Sequence, residues 1–419
     1  MQVFKFGGAS VSSVEKIQQV GRILQAHQHQ QLVVIISAMG KTTNALEKVA
    51  DAFFEQRTTD ALQLFDQIKK QHLTTAKYLL VTGFNACAAQ LADFFTEAEW
   101  LLHDKPVRSY DYYYDQIVCI GELLSTCIVS YYLNEIGLHA IWQDVRDVLH
   151  TDDNFRDAGI DWSYSTAKIQ SLAQHLPQGS ICVTQGFIGA TDENESTTLG
   201  REGSDYTAAI FANILSAESV TIWKDVEGVM SADPKQFANA TYLPELSFEE
   251  VIEMAYYGAQ VIHPKTIKPL QNKGIPLQVK CFNDMLLPGT TISSKRIKQL
   301  PPIVIIKAQQ VLLQLNTLDY SFVGEQPMMA LYAAFEQLKI KPNLIQTGAI
   351  GIQLCIDDKP EKIEALAANL AHIFDIQVSK GLQLFTVRHY NADSMAQLTA
   401  GKKIILEQKT SITYQSLVL

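Results

Sequence analysis

The chain has 419 residues, 47% hydrophobic and 19% charged, which is enough for two or three domains with cores of their own. Its formal charge of −10 excludes the basic face that nucleic acid or an anionic membrane surface would demand. Six scattered cysteines without a CxxC pair, ten histidines without ligand spacing, no signal-peptide pattern and no expected membrane span point to a cytoplasmic protein with free buried thiols and no protein-ligated metal.

The first element is a short strand running into Val3-Phe4-Lys5-Phe6-Gly7-Gly8-Ala9-Ser10. Lys5 ends it with a flexible cationic arm, and Gly7 and Gly8 let backbone N–H groups come close to a ligand. The helix after it carries Ile17, Val20 and Leu24 on one face, with Ser12 and Glu15 spaced as a capping box. Strand, glycine turn and helix N-terminus together favour an anion. The same run could also serve only as a tight strand-to-helix turn. Leu32–Ile36 reads as a strand buried on both faces. Helical patterns follow at 43–57, 60–81, 86–103 and 115–133, and strands recur near 138–142, 180–185, 219–223 and 276–282. Alternation of this kind predicts an α/β domain over residues 1–295, a mainly parallel sheet sandwiched by helices.

Pro301-Pro302 marks a boundary. Strands near 303–315, 343–347 and 350–356 and helices at 326–338 and 360–372 follow the ferredoxin-like α+β order. Gly381–Leu419 is too short for a second complete module, and its strand signals at 383–388, 402–407 and 411–417 are expected to complete the first or pair with it. The second domain is therefore 303–419, one recognisable module and an atypical remainder.

Three further constellations carry chemistry. Thr197-Thr198-Leu199-Gly200-Arg201-Glu202-Gly203-Ser204-Asp205 is a polar loop entering a helix capped by Ser204 or Asp205, with Ala208, Phe211, Ala212 and Leu215 on its inner face. Trp223-Lys224-Asp225 opens a long polar loop that reaches Asp233 and Lys235, at a strand end where open α/β sheets bind ligands. Gly121-Glu122-Leu123-Leu124-Ser125 places one acid in an apolar helix, where a carboxylate needs a partner. Each stretch alone could equally be a capped surface loop, a solvated connection or a structural ion pair.

Together these segments resemble one family, the aspartate kinases of the amino-acid kinase fold. Lys5-Phe6-Gly7-Gly8-Ala9-Ser10 resembles its KFGGTS opening, and Ser37-Ala38-Met39-Gly40 with Thr43-Asn44 its second strand-end loop. Gly121 to Ser125, Thr184-Gln185-Gly186-Phe187-Ile188-Gly189, the 197–205 run, and Tyr257-Gly258-Ala259 before Val261-Ile262-His263-Pro264 match in the same order. The tail resembles the family's ACT regulatory region.

The resemblance implies transfer of a phosphoryl group from ATP to the β-carboxylate of L-aspartate, giving 4-phospho-L-aspartate on the route to lysine, threonine and methionine. It assigns Lys5 to the transferring oxygens, helped by the amides of Gly7 and Gly8. Asp205 would orient Lys5 and help organise Mg²⁺, itself bound chiefly by ATP. Arg201 would hold the α-carboxylate and Glu122 the ammonium. Thr43, Ser37 and Ser204 would hydrogen-bond around substrate and phosphate, and Phe155 would sit on a loop closing over the substrate. Lys224, Asp225 and Lys235 would contact ATP. ACT-type regions pair edge to edge, so a homodimer is expected.

Several positions depart from the family pattern. Ala9 replaces a threonine, Glu202 a glycine with its side chain expected to point outward, Met230 a tyrosine and Lys235 an arginine. Gln260 falls where many members carry a lysine, with Lys265 as a candidate substitute. Gln346-Thr347-Gly348-Ala349-Ile350 lacks the serine and glutamate common in the effector loop, so weak or absent inhibition by lysine or threonine is expected. The rivals are another enzyme of the same fold, or a non-catalytic amino-acid sensor built on it. Retention of Lys5, Glu122, Arg201 and Asp205 together favours the kinase.

Overall fold

β1 (Gln2–Phe6) and β2 (Leu32–Ile36) are short apolar runs, and β2 is buried along its whole length. In the computed structural model, which describes residues 1–419, they lie inside an eight-stranded sheet. The chain also supplies β3 (Ala140–Gln143), β4 (Ile181–Gln185), a side hairpin of β5 (Ile188–Ala190) and β6 (Ser196–Thr198), and β7 (Val220–Lys224). The sheet order is Glu245–Ser247, Thr290–Ser293, Leu277–Cys281, β7, β1, β2, β4, β3. Every pairing is parallel except that between Leu277–Cys281 and Thr290–Ser293. β1 is flanked by β2 on one side and β7 on the other, with Lys5 opposite Ile35 and Ile222. Strand order therefore reverses at β1, which is where sheets of this kind open a crevice at their carboxyl ends.

Helices cover the sheet. α1 (Val14–Ala26) and α6 (Ile120–Glu135) pack together, with α2 (Thr42–Phe54), α3 (Thr58–Leu79), α4 (Phe84–His103) and α5 (Tyr110–Val118) around them. A second group contains α7 (Trp162–His175), α8 (Gly203–Leu215) and the helix Pro264–Lys273. The 115–133 pattern proves to be two helices, with Cys119 between α5 and α6. The stretch Tyr110–Glu135 is also long and apolar enough, by composition, to cross a membrane, contrary to the expected lack of such a run. Its most apolar window is 83% buried inside the protein, so that hydrophobicity belongs to the core. All six cysteines are buried and unpaired.

α1 starts one residue later than the Ser12–Glu15 spacing implied. Ser13 is the N-cap, accepting from the Lys16 N–H at 3.3 Å and donating to Glu15 at 2.7 Å, while Ser12 donates to the Ala9 carbonyl at 2.9 Å. The segment between β1 and α1 is a tight 3-10 turn, Gly8–Val11. α7 was not anticipated: it buries only Ser165 and Ile169, too little apolar surface for a periodic signal.

A second compact unit has its own sheet. It comprises Met230–Thr241, Glu253–Gln260 and Lys298–Leu419, so it gathers two short segments from within the expected 1–295 region. They join through the Val304 N–H to the Ser231 carbonyl at 2.7 Å and through Arg388 to Glu253 at 3.0 Å. Its sheet is antiparallel and six-stranded, in the order Leu344–Thr347, Gly351–Asp357, Ile303–Thr317, Phe374–Arg388, Thr413–Val418, Ile404–Lys409. Helices Glu325–Leu338 and Pro360–Leu370 pack on Val311, Leu313, Leu315 and Ile352, which completes the expected ferredoxin-like module. The two central strands are 15 residues each and outrun that module. Their far ends, Ile303–Lys307 and Leu382–Arg388, carry the remainder: a helix Ala392–Thr399 and the last two strands. The tail thus extends one sheet instead of folding separately.

Candidate active site

The carboxyl ends of β1, β2 and β4 and the first turns of α6 and α8 converge on a cavity of about 390 Å³, within the range of small-molecule sites. Lys5, Ser37, Thr43, Glu122, Arg201, Ser204 and Asp205 all line it. Lys5 and Arg201, far apart in sequence, therefore open into the same space.

Lys5 Nζ lies 2.6 Å from Asp205 Oδ1, with side chains only 12% and 4% exposed. Lys224 Nζ stands 4.0 Å from the other oxygen and donates to the Val261 carbonyl at 2.6 Å. Burial would raise the Asp205 carboxyl, but the two ammonium groups outweigh it and hold that group below its usual range. Asp205 is thus an anion that fixes two cations at the strand ends.

Glu122 is 2% exposed, in the first turn of α6. One oxygen accepts from the Ala38 N–H at 3.1 Å, and the other has no partner. Burial pushes this carboxyl up to about 8; the Ala38 amide opposes the shift only in part, and no charged neighbour offsets it. A carboxylate held dry and half-satisfied is suited to receive a cationic donor.

Arg201 is exposed on the cavity wall, and its guanidinium has no partner. Ser37 donates to Ser204 at 2.9 Å, joining the β2 end to the start of α8. That contact requires Gly186, because a Cβ there would come 2.5 Å from Ser204 Cβ. α8 is not capped by Ser204 or Asp205. Its N-cap is Glu202, held in the left-handed conformation at φ 56° with no side-chain cap bond. Nor does Glu202 point away from the site: it lines the cavity, and its carboxylate accepts from the His263 N–H at 2.9 Å.

The remaining expected residues lie elsewhere. Gly7 and Gly8 are not on the cavity wall, and neither has a positive φ. Gly8 is required by close approach, since a Cβ would meet the Ala38 carbonyl at 2.7 Å and the Gly40 carbonyl at 2.9 Å. Phe155 packs edge-on against Tyr112 at 5.3 Å, off the wall, and its neighbour Arg156 lines the cavity instead. Asp225 is exposed at the end of β7. Lys235 belongs to the second unit, where its N–H donates to Asp233. Lys265 is ion-paired to Asp157 and donates to the Leu199 carbonyl at 3.2 Å.

Tyr114, Arg156, Phe187, Thr198 and Gly203 also line the cavity and were not singled out as site residues. A buried acid organises two of them. Asp115 accepts from the Thr198 N–H at 2.8 Å, the Thr198 hydroxyl at 2.7 Å and the Arg156 N–H at 2.9 Å. Burial raises its carboxyl to about 6 against the pull of those donors. Chemically, the cavity offers the Lys5 ammonium paired to the Asp205 carboxylate, a free guanidinium and a dry carboxyl group. It can hold a zwitterionic acid beside a second anion.

Comparison with known proteins shows the family. The amino acid kinase family model matches residues 1–281. Aspartokinase 3, chloroplastic, of Arabidopsis thaliana is 32% identical over 367 residues, 85% of this chain. The chain spans 64% of that relative's length. Lysine-sensitive aspartokinase 3 of Escherichia coli is 30% identical over 398 residues, covering 91% of this chain and 85% of the relative. The solved E. coli aspartokinase III with aspartate and ADP superposes with a TM-score of 0.80 at 26% identity, over 100% of this chain and 96% of that one. By fold and sequence, the chain belongs to the amino acid kinase family, among its aspartokinases.

Proposed function

We propose that the protein transfers the γ-phosphoryl group of ATP to the β-carboxylate of L-aspartate. The observation that carries this reading is the meeting of Lys5, Glu122, Arg201 and Asp205 on one cavity wall. A carboxylate is a competent nucleophile at neutral pH and needs no general base. Its oxygen attacks the γ-phosphorus, the bond to the β-phosphate oxygen breaks, and ADP leaves with that electron pair. The product is an acyl phosphate. The protein's work is to hold two anions together and to stabilise charge on the transferring oxygens. Lys5 supplies that charge from a position set by Asp205. Arg201 suits the α-carboxylate bidentately, and the open oxygen of Glu122 suits the ammonium. Mg²⁺ would be carried by the ATP phosphates, with Asp205 the carboxylate placed to assist. Lys224 and Asp225, at the end of β7, are our candidates for nucleotide contact, together with Gly7 and Gly8. The test is ADP release from Mg-ATP with aspartate, glutamate, acetylglutamate or UMP as acceptor. Aspartate alone should support turnover, and release driven by another acceptor would refute the assignment.

Glu122 adds a pH dependence. Its folded value of about 8 lies above the ordinary 4.5, so its contribution to the stability of the free protein is complete below 4.5 and is lost as pH rises through about 8. An ammonium ligand reverses this preference, because it binds the ionised form. KM for aspartate should therefore fall as pH rises from about 6 to about 8, by up to about tenfold per unit, and then level off. Glu122→Gln should flatten that profile and raise KM, while raising the melting temperature of the ligand-free protein at alkaline pH. An unchanged profile in the variant would remove Glu122 from the ammonium site.

We also place the protein in the cytoplasm, where six unpaired buried thiols suit a reducing medium. We propose a homodimer through the second unit, which exposes Tyr320 and Phe322 at 79% each and Met329 at 70%. A monomer in sedimentation at micromolar concentration would contradict it.

A further inference from the structure

Of ten non-glycine residues with positive φ, three line the one cavity: Arg156 at 70°, Phe187 at 72° and Glu202 at 56°. Strained torsions kept at a site raise the question of what each side chain does there. Phe187 is locked by backbone bonds to Thr207 and Leu199, and Glu202 by the His263 N–H. Arg156 is fixed through its backbone, while its half-exposed guanidinium at the rim has one ionic partner, Asp111.

We propose that Arg156 is a specificity-determining residue of the acceptor pocket, a second guanidinium that leaves Asp111 to share the acceptor's α-carboxylate with Arg201. This rests on the aspartate-kinase reading. Asp115, fully buried, accepts from both the Arg156 and the Thr198 N–H groups, so one carboxylate sets the 156 loop and the turn that leads to Arg201. The two segments also abut, since a Cβ on Gly200 would lie 3.2 Å from the Arg156 carbonyl. Arg156 and Arg201 are therefore neighbours on one rim.

The side chain supports the same assignment. The guanidinium lies 4.4 Å from the centre of the Tyr114 ring, itself part of the cavity wall. Its ionic partner is Asp111 at 3.0 Å, with side chains 47% and 54% exposed. Exposed pairs of this kind contribute little, so exchanging Asp111 for a substrate carboxylate costs little. Lys5 is already tied to Asp205, which leaves Arg156 and Arg201 as the cations of the wall able to meet a carboxylate.

The test compares wild type, Arg156→Gly and Asp111→Asn in steady-state kinetics and thermal melting. Glycine relaxes the left-handed torsion, so the fold should survive with a melting temperature at least that of wild type. KM for aspartate should rise about tenfold with KM for ATP unchanged, as for loss of a binding contact. Asp111→Asn, which frees the guanidinium, should lower KM for aspartate about two- to threefold. An unchanged KM in Arg156→Gly, a rise in KM for ATP instead, or a rise coupled to a lowered melting temperature would each overturn the assignment. Wild-type protein that releases no ADP with aspartate would overturn both this inference and the function on which it rests, whereas normal wild-type turnover with an unaffected variant would overturn this inference alone.

Discussion

Replacing Lys5 with alanine should lower kcat about a thousandfold while KM for aspartate moves only a few-fold, in line with the loss of one positioned charge at a transition state. The ammonium sits at the reversal point of the sheet, 2.6 Å from a buried carboxylate that cannot move without unwinding the first turn of α8. Its charge is therefore in place before the reaction begins, and charge spreading over the phosphoryl oxygens meets it without reorganisation. The variant also leaves Asp205 buried with Lys224 at 4.0 Å as its remaining cation, so stability should fall as well. Lys5→Ala combined with Asp205→Asn separates the two effects, because it should recover melting temperature and leave turnover absent. Recovery of turnover in the double variant would mean that Lys5 serves the fold alone.

Arg201→Ala should raise KM for aspartate by about 2–3 kcal/mol, roughly 30- to 150-fold, the size of a charged hydrogen-bonded pair. Arg201 differs from Lys5 in having no partner to leave behind. This guanidinium is exposed and makes no hydrogen bond or ion pair within the protein, so its removal leaves nothing unpaired and should leave thermal stability unchanged. Whatever it contributes, it contributes to a ligand. Lysine at this position should not restore affinity, because a point charge lacks the planar fork that matches a carboxylate. A kcat loss with KM intact would move Arg201 from the acceptor to the phosphoryl group.

Legibility in the sequence followed the range of the interactions. β2 could be read from its residues because a strand buried on both faces is apolar throughout, and β7 from its β-branched and aromatic run Val220 to Trp223. Lys5, Glu122, Arg201 and Asp205 could be read as chemical groups, being charges set in apolar or glycine-rich surroundings. Arg156, Phe187 and Glu202 could not, because their roles depend on a left-handed torsion imposed by neighbours distant in sequence. Asp115 was hidden for the same reason: it looks like an ordinary helix acid until Thr198 and the 156 loop fold over it. The tail was legible only as strands. Its place in the sheet depends on two long strands that run past their own module, a non-local pairing that no local pattern encodes.

The most direct test is a crystal structure with aspartate and a non-hydrolysable ATP analogue bound. The expected result is the Arg201 guanidinium on the α-carboxylate, Glu122 on the ammonium, and Lys5 Nζ on the γ-phosphate facing the β-carboxylate. An amino acid bound away from Arg201, or a γ-phosphate out of reach of Lys5, would contradict it.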